Sequence, residues 1–491
     1  MLGTLCFLLS ACDNQQQPSG NTPGLTLQKC TWDTATGIPP AVGGAECGSF
    51  SVAENPDDPA AGSIALNIKR WPSISAVPDA DPVFVIAGGP GQSATAIADR
   101  LVQVFYNLRK SRDIVFVDQR GTGQSAPLNC EQDESSSLTD YAAYSAEKSL
   151  ASLHLCADAL RDRAAFYTTP YAVGDLEQVR KALGYGPINL WGGSYGTRVI
   201  LHYMVRYPDS LRAVVMDGLA PVSLALPHSI GRDATRALGL VASQCLSMDE
   251  CAQRYGDINK KAEQLADTLR QQPVHLTVAN PLTGISEDIL LDDSKLAVLV
   301  RLALYDRVMS RLLPKLIASA SAGDYTLLAN LMSQFLNTER LPDLAQGMHM
   351  TILCNEDASI AAVPEHQPFL GVDLAENMRE VCAFWPESAV PASYYEPVVS
   401  DIPALLFSGV YDPVTPPEWG EQVLAHLTQA THLTAPGAHH GVTMEGCASD
   451  VMTQFIRDRV VHPEQSRCIE DIQPLQPYLD APPTEQGARD D

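Results

Sequence analysis

Gly192-Gly193-Ser194-Tyr195-Gly196 follows the apolar run Ile188-Asn189-Leu190-Trp191 without a break. A small-x-Ser-x-Gly turn between a strand and a helix lifts a hydroxyl to the tip of a sheet, with the following helix N-terminus behind it. Glycines suit the flanking positions because side chains there would clash with neighbouring elements. A hydroxyl placed so is a candidate nucleophile, and it needs a base oriented by a carboxylate. In the strand–turn–helix arrangement these partners follow in the order Ser, Asp, His. Asp412 lies in Tyr411-Asp412-Pro413-Val414-Thr415-Pro416, just after the apolar run Ala404–Ser408. His439 and His440 lie in Pro436-Gly437-Ala438-His439-His440-Gly441, after a further short run. His440 is the expected base because it precedes the glycine, and His439 is the alternative. Acyl transfer also needs donors for an oxyanion. The expected donors are the amide of Tyr195 and that of Gly89, in Gly88-Gly89-Pro90-Gly91 after the run Val83–Ala87.

These loops require strands ending at one edge. Ile64, Leu66 and Ile68 alternate with polar neighbours, as on a half-buried strand. Runs 83–87, 114–117, 188–191 and 213–217 are continuously apolar, as parallel strands covered on both faces are. Helical stretches are expected between them, one carrying Leu101, Val104, Phe105 and Leu108 and one near 145–162. From about 225 to 395 the pattern turns helical, with Asp257 as an N-cap. Strands resume at 404–408 and 431–435, with a helix near 417–428 between them. The expected fold class is therefore α/β, a mostly parallel central sheet with helices on both faces and an inserted helical cap. The expected division is core at 25–225 and 396–472, cap at 226–395 and a Pro-rich tail at 473–491. Asp118-Gln119-Arg120-Gly121-Thr122-Gly123-Gln124-Ser125 reads as charges bracing the loops beneath the site.

The chain has 491 residues, 33 basic and 58 acidic, for a formal charge of −25. Such an excess of negative charge opposes binding to a phosphate backbone, so no nucleic-acid partner is expected. Residues 1–12, MLGTLCFLLSAC, read as a signal whose Leu-Ser-Ala-Cys end resembles a bacterial lipobox, with Cys12 as the lipidation site. Residues 13–24 suit a flexible tether. The expected membrane contact is this lipid anchor alone, and the expected location the periplasmic or extracellular face of the cell envelope. Ten further cysteines form an even set, as in an oxidising compartment. Neighbour pairing would give 30–47, 130–156, 245–251, 354–382 and 447–468, although spacing alone leaves connectivity open. The close Cys and His spacings of a zinc site are missing, so no metal and no cofactor are expected.

GGPG, DQRGTGQS, GGSYGT, YDPVTP and HHG stand in this order. Together they resemble the α/β-hydrolase serine peptidases of the proline iminopeptidase and tripeptidyl aminopeptidase group. Ala87 stands where proline iminopeptidases usually carry His, which draws the chain toward the exported tripeptidyl aminopeptidase-like branch. The resemblance implies an α/β-hydrolase fold, a Ser194–His440–Asp412 triad and a short peptide substrate cut from its free N-terminus. Such an enzyme must hold a substrate ammonium. Glu356 and Asp357, in Cys354-Asn355-Glu356-Asp357, are the candidate substrate-binding carboxylates. A carboxylesterase with the same triad is one alternative, and a surface binding lipoprotein without catalysis is the other.

Overall fold

The structure, a computed structural model, describes residues 25–30, 44–60, 62–130, 146–279, 284–335, 344–357 and 367–479. Cys12, the signal, the tether and the end of the tail lie outside them.

Among the described residues one sheet of nine strands runs through the molecule. They are β1 (Gln28–Lys29), β2 (Glu46–Ala53), β3 (Ser63–Trp71), β4 (Val83–Ile86), β5 (Ile114–Val117), β6 (Ile188–Gly193), β7 (Leu211–Asp217), β10 (Ala404–Gly409) and β11 (Ala430–Ala435). The order is β1-β2-β3-β5-β4-β6-β7-β10-β11. The first three strands pair antiparallel, and β3 pairs antiparallel with β5. From β5 onward every pairing is parallel. The fold is that of an α/β hydrolase.

The continuous apolar runs are explained by their two-sided burial. In β4, Phe84 and Ile86 join the core on one face while Val83 and Val85 join the core on the other. β5 divides likewise, Val115 and Val117 against Ile114 and Phe116. Each such side chain contributes roughly 1.5–3 kcal/mol by leaving water. Strand β3, paired between β2 and β5, keeps its alternation, with Ile64, Leu66 and Ile68 buried and Ser63 and Ala65 exposed.

Much of the chain between β7 and β10 forms a separate core, while Met348, Met350, Ile352, Val381 and Trp385 join the core of the sheet. Helices Leu226–Leu246, Ile258–Gln271, Asp293–Leu304 and Leu313–Ser321 supply Leu238, Leu265, Leu269, Val300, Leu304 and Ile317 to the separate core. Asp257 caps its helix, accepting from the amides of Asn259 and Lys260. Two features differ from expectation. The segment holds an antiparallel pair, β8 (Val274–Ala279) and β9 (Ser286–Leu291). Its signal was alternation: Val278 and Ile289 are buried while their neighbours face water. The helix expected through residue 108 is also two short pieces, Ala94–Leu101 and Tyr106–Arg109, joined by turns. The turns still bring Leu101, Phe105 and Leu108 into the core.

The five cysteine pairs of the described chain are 30–47, 130–156, 245–251, 354–382 and 447–468, as neighbour pairing anticipated.

The loop after β5 is locked by its charges. Asp118 accepts from Ser93 Oγ at 2.8 Å, Thr95 Oγ1 at 2.8 Å and Asn67 Nδ2 at 3.0 Å. Arg120 makes a two-pronged pair with Asp175, at 2.7 and 2.8 Å, and donates to the carbonyls of Glu54 and Phe166. Both partners are buried. Arg120→Met would leave Asp175 charged and alone in the core, and is expected to cost about 3–5 kcal/mol in urea unfolding. A loss below about 1 kcal/mol would show that this pair does not hold the loop.

Candidate active site

The loops after β4, β6, β7, β10 and β11 all leave the C-terminal edge of the parallel strands, where ligands bind in open α/β sheets. Ser194 follows β6 and caps helix Tyr195–Arg206 with φ 54° and ψ −126°. A side chain in that left-handed region is strained, and the surrounding turn must hold it there. The Ser194 amide donates to the Asp217 carbonyl at 2.9 Å, and the Ser194 carbonyl accepts from Thr197 Oγ1 at 2.7 Å. Gly196 explains the tight crossing: a Cβ there would sit 2.5 Å from the Ile86 carbonyl oxygen.

Asp412 follows β10 and is fully buried. Its Oδ1 accepts from the amides of Val414 and Thr415 at 2.9 and 2.8 Å. Its Oδ2 accepts from Thr415 Oγ1 at 2.7 Å and lies 2.8 Å from His440 Nδ1. Burial alone would raise the Asp412 pKa, but His440 and the Thr415 donors hold it at about 2. For His440 burial pulls down, while Asp412 and then Asp217 push the imidazole above its ordinary value. His439 turns elsewhere, its Nδ1 2.6 Å from the Leu304 carbonyl oxygen. Among the described residues no hydrogen bond joins Ser194 Oγ to His440. Such contacts are often loose before substrate binds.

Gly89 lies after β4 with φ +105°. The neighbouring Gly88 amide is taken by Gln92 Oε1 at 3.2 Å. Tyr195 opens its helix, so its amide has no intrahelical acceptor. The inserted segment docks on the Gly88–Gly91 loop. Ala345 donates to the Gly91 carbonyl at 2.9 Å, and His349 Nδ1 lies 3.0 Å from the Pro90 carbonyl oxygen.

Glu356 and Asp357 require a correction. Both are fully buried, not open to a substrate ammonium, and they are not a solvated turn either. Glu356 accepts from the Thr169 amide at 2.6 Å, from Thr169 Oγ1 at 2.8 Å and from the Tyr394 hydroxyl. Asp357 pairs with Arg198 and accepts from the Leu226 amide at 3.2 Å. Burial pushes both carboxyls up, against the pull of Arg198. Burying a carboxylate is tolerable only with such partners, and here the partners occupy it. These residues tie the inserted segment to the helix that starts behind Ser194. The signal that was missed is Arg198, four residues after the serine, whose charge demanded a buried partner.

The sequence reading also passed over Asp217, Thr415 and Tyr305. The Asp217 carboxylate, 2% exposed, accepts from the amides of Val442 and Thr443 at 2.9 and 2.7 Å and from Thr443 Oγ1. One residue thus holds the Ser194 turn through its carbonyl and the His440 loop through its side chain. Gly218 beside it has φ +69°, and a Cβ there would lie 3.3 Å from His440 Cε1. The Tyr305 ring packs edge-on against His440 at 5.1 Å, and its carbonyl accepts from the His440 amide at 3.3 Å. Arg236 of helix Leu226–Leu246 donates to the carbonyls of Val410 and Asp412, both at 2.8 Å.

Comparison with known proteins fits this arrangement. Residues 81–244 match the family described as alpha/beta hydrolase fold, and residues 367–468 match that described as TAP-like protein. The chain is an α/β hydrolase similar to serine peptidases of the proline iminopeptidase and tripeptidyl aminopeptidase group. Serine protease Hip1 of Mycobacterium tuberculosis H37Rv is 24% identical over 470 residues, covering 87% of this chain and 88% of that protein. The putative hydrolase YuaR of Escherichia coli K12 is 25% identical over 408 residues, covering 76% and 77%. A tripeptidyl aminopeptidase of Streptomyces lividans is 31% identical over 145 residues, 27% of each chain. The α/β hydrolase described here is a serine hydrolase with peptidase relatives. No helix of its described residues is long and apolar enough to cross a membrane.

In this hydrolase Asp217→Asn would set an NH2 group against one of the two loop amides. It is expected to destabilise the fold by about 2–3 kcal/mol in urea unfolding, the cost of a buried unsatisfied donor. A change within about 0.5 kcal/mol would mean the carboxylate does not hold the His440 loop.

Proposed function

We propose that the protein is an exported serine aminopeptidase that cleaves short peptides from a free N-terminus through Ser194, His440 and Asp412. The observation that carries this reading is the 2.8 Å His440–Asp412 bond at the sheet edge that also holds the strained Ser194. In the reaction His440 takes the hydroxyl proton as Ser194 Oγ bonds to the scissile carbonyl carbon. The amides of Gly89 and Tyr195 donate to the resulting oxyanion. The C–N bond then breaks as His440 returns the proton to the leaving amine. Water, deprotonated by His440, attacks the ester and frees the acyl group and the serine. Asp412 orients the ring and stabilises its charged form.

Export is supported by the five disulfides, which persist in oxidising compartments. Lipidation at Cys12 of the cell-envelope form belongs to the same proposal. A carboxylesterase using the same groups is the second reading. The closure of Glu356 and Asp357 favours it, because neither offers an open face to an ammonium.

Ser194→Ala is expected to lower kcat/KM by about 10⁴-fold or more and to abolish fluorophosphonate labelling. Aminoacyl arylamides should be cleaved in preference to their N-blocked forms and to simple acyl esters. Preference for acyl esters would replace the aminopeptidase reading by the esterase one, and labelling that survives the substitution would remove Ser194.

The base acts neutral, so kcat/KM should fall as pH drops through the His440 pKa, which lies above the usual imidazole value. Asp412→Asn removes the charge that raises it. The acid limb should move to lower pH while the plateau drops. A limb that stays in place would detach His440 from the titration.

A further inference from the structure

The chain has 58 acidic residues against 33 basic ones, so arginines find carboxylates easily. In the inserted segment Arg254 pairs with Glu250, Arg270 with Asp267 and Asp293, and Arg307 with Glu445. Arg301, like Arg236 and Arg311 of the same segment, is different. Among the described residues no carboxylate lies within ion-pair distance of it. It is half-buried near the C-terminal end of helix Asp293–Leu304. Its Nη1 donates to the Tyr305 hydroxyl at 3.0 Å, and its guanidinium lies 5.6 Å from the centre of the Tyr305 ring. That same ring packs against His440. A guanidinium has five N–H donors, and one bond to a phenol leaves most of them unused.

Tyr305 fixes where this cation stands. Tyr305 holds it beside His440 through the ring contact and the backbone bond already described. Its charge also helps, after burial, to depress the His349 imidazole, which packs on the Gly88–Gly91 loop. Arg301 therefore stands on the Tyr305 side chain that packs against the expected base. A half-buried guanidinium with free donors matches one chemistry best, a carboxylate taken by charge-assisted bonds.

We propose that Arg301, held by Tyr305, recognises a carboxylate on the substrate close to the scissile bond. This rests on the hydrolase reading of Ser194 and narrows it to anionic short substrates. The carboxylate has two sources, the C-terminal group of a very short peptide or an acidic side chain beside the cut.

The test compares matched substrates on the full-length protein. One pair is a short peptide with a free C-terminus and its amide. A second is a peptide with Glu beside the cut and its Gln counterpart. A third is a nitrophenyl ester with a terminal carboxylate on its acyl chain and its methyl ester. For the native protein kcat/KM should favour the charged member of at least one pair by about tenfold, the worth of one charge-assisted bond. Arg301→Gln should reduce that ratio to near one, and Arg301→Lys should retain part of it. Because a ratio is read, a general loss of folded enzyme cannot imitate the result. The first two pairs separate the sources of the carboxylate. A native ratio near one in every pair, or a ratio unchanged in Arg301→Gln, overturns the proposal. The ester pair separates this failure from that of the peptidase reading: selectivity on esters without peptide cleavage keeps Arg301 and discards the peptidase.

Discussion

The parallel alignment of β4, β6, β7, β10 and β11 is the constraint on which the site depends. Parallel strands end together, so the turns leaving them share one edge. β7 lies between β6 and β10, and its last residue is Asp217. The Asp217 carbonyl takes the Ser194 amide, and its carboxylate takes two amides just beyond His440. The spacing between the serine turn and the histidine loop is thus set by one buried side chain. Charge makes this tie strong, because a carboxylate in a low-dielectric interior holds its donors tightly.

The inserted segment is fastened to the same edge by polar contacts. Arg198, on the helix that Ser194 caps, pairs with Asp357 and lies 3.8 Å from Glu356. Arg236 grips the backbone of the Asp412 loop. His349 and Ala345 meet the Gly88–Gly91 loop. Tyr305 meets His440. Each of the four loops carrying the expected chemistry therefore touches the insertion. A buried ion group of this kind contributes little net stability, but removing one partner is costly. Its effect is to fix geometry: the segment has its own apolar core, packs Met348, Met350, Ile352, Val381 and Trp385 into that of the sheet, and is oriented there by directional bonds.

Much of the arrangement was legible before the coordinates. Continuous apolar runs marked strands covered on both faces, and glycine-rich turns after them marked the loops. The serine turn, the Asp412 loop and the choice of His440 over His439 followed from local patterns. What was not legible has a common physical cause. Glu356 and Asp357 look like an acidic turn in isolation, and only the arrival of Arg198, 159 positions before Asp357, makes them a buried pair. Asp217 looks like the end of a strand, and its role appears only when Val442 and Thr443 come to it. The β8–β9 pair was hidden by its position among strong helix patterns.

The amino-acid order by itself determined the strands, the turns between them and the nucleophile, base and carboxylate candidates. These follow from local sterics and from side-chain periodicity, which act over a few residues. Tertiary structure alone decided which charges would meet in the interior and that Arg301 would stand against a phenol without a carboxylate. Those outcomes depend on desolvation, which is felt only when distant segments pack and exclude water between them.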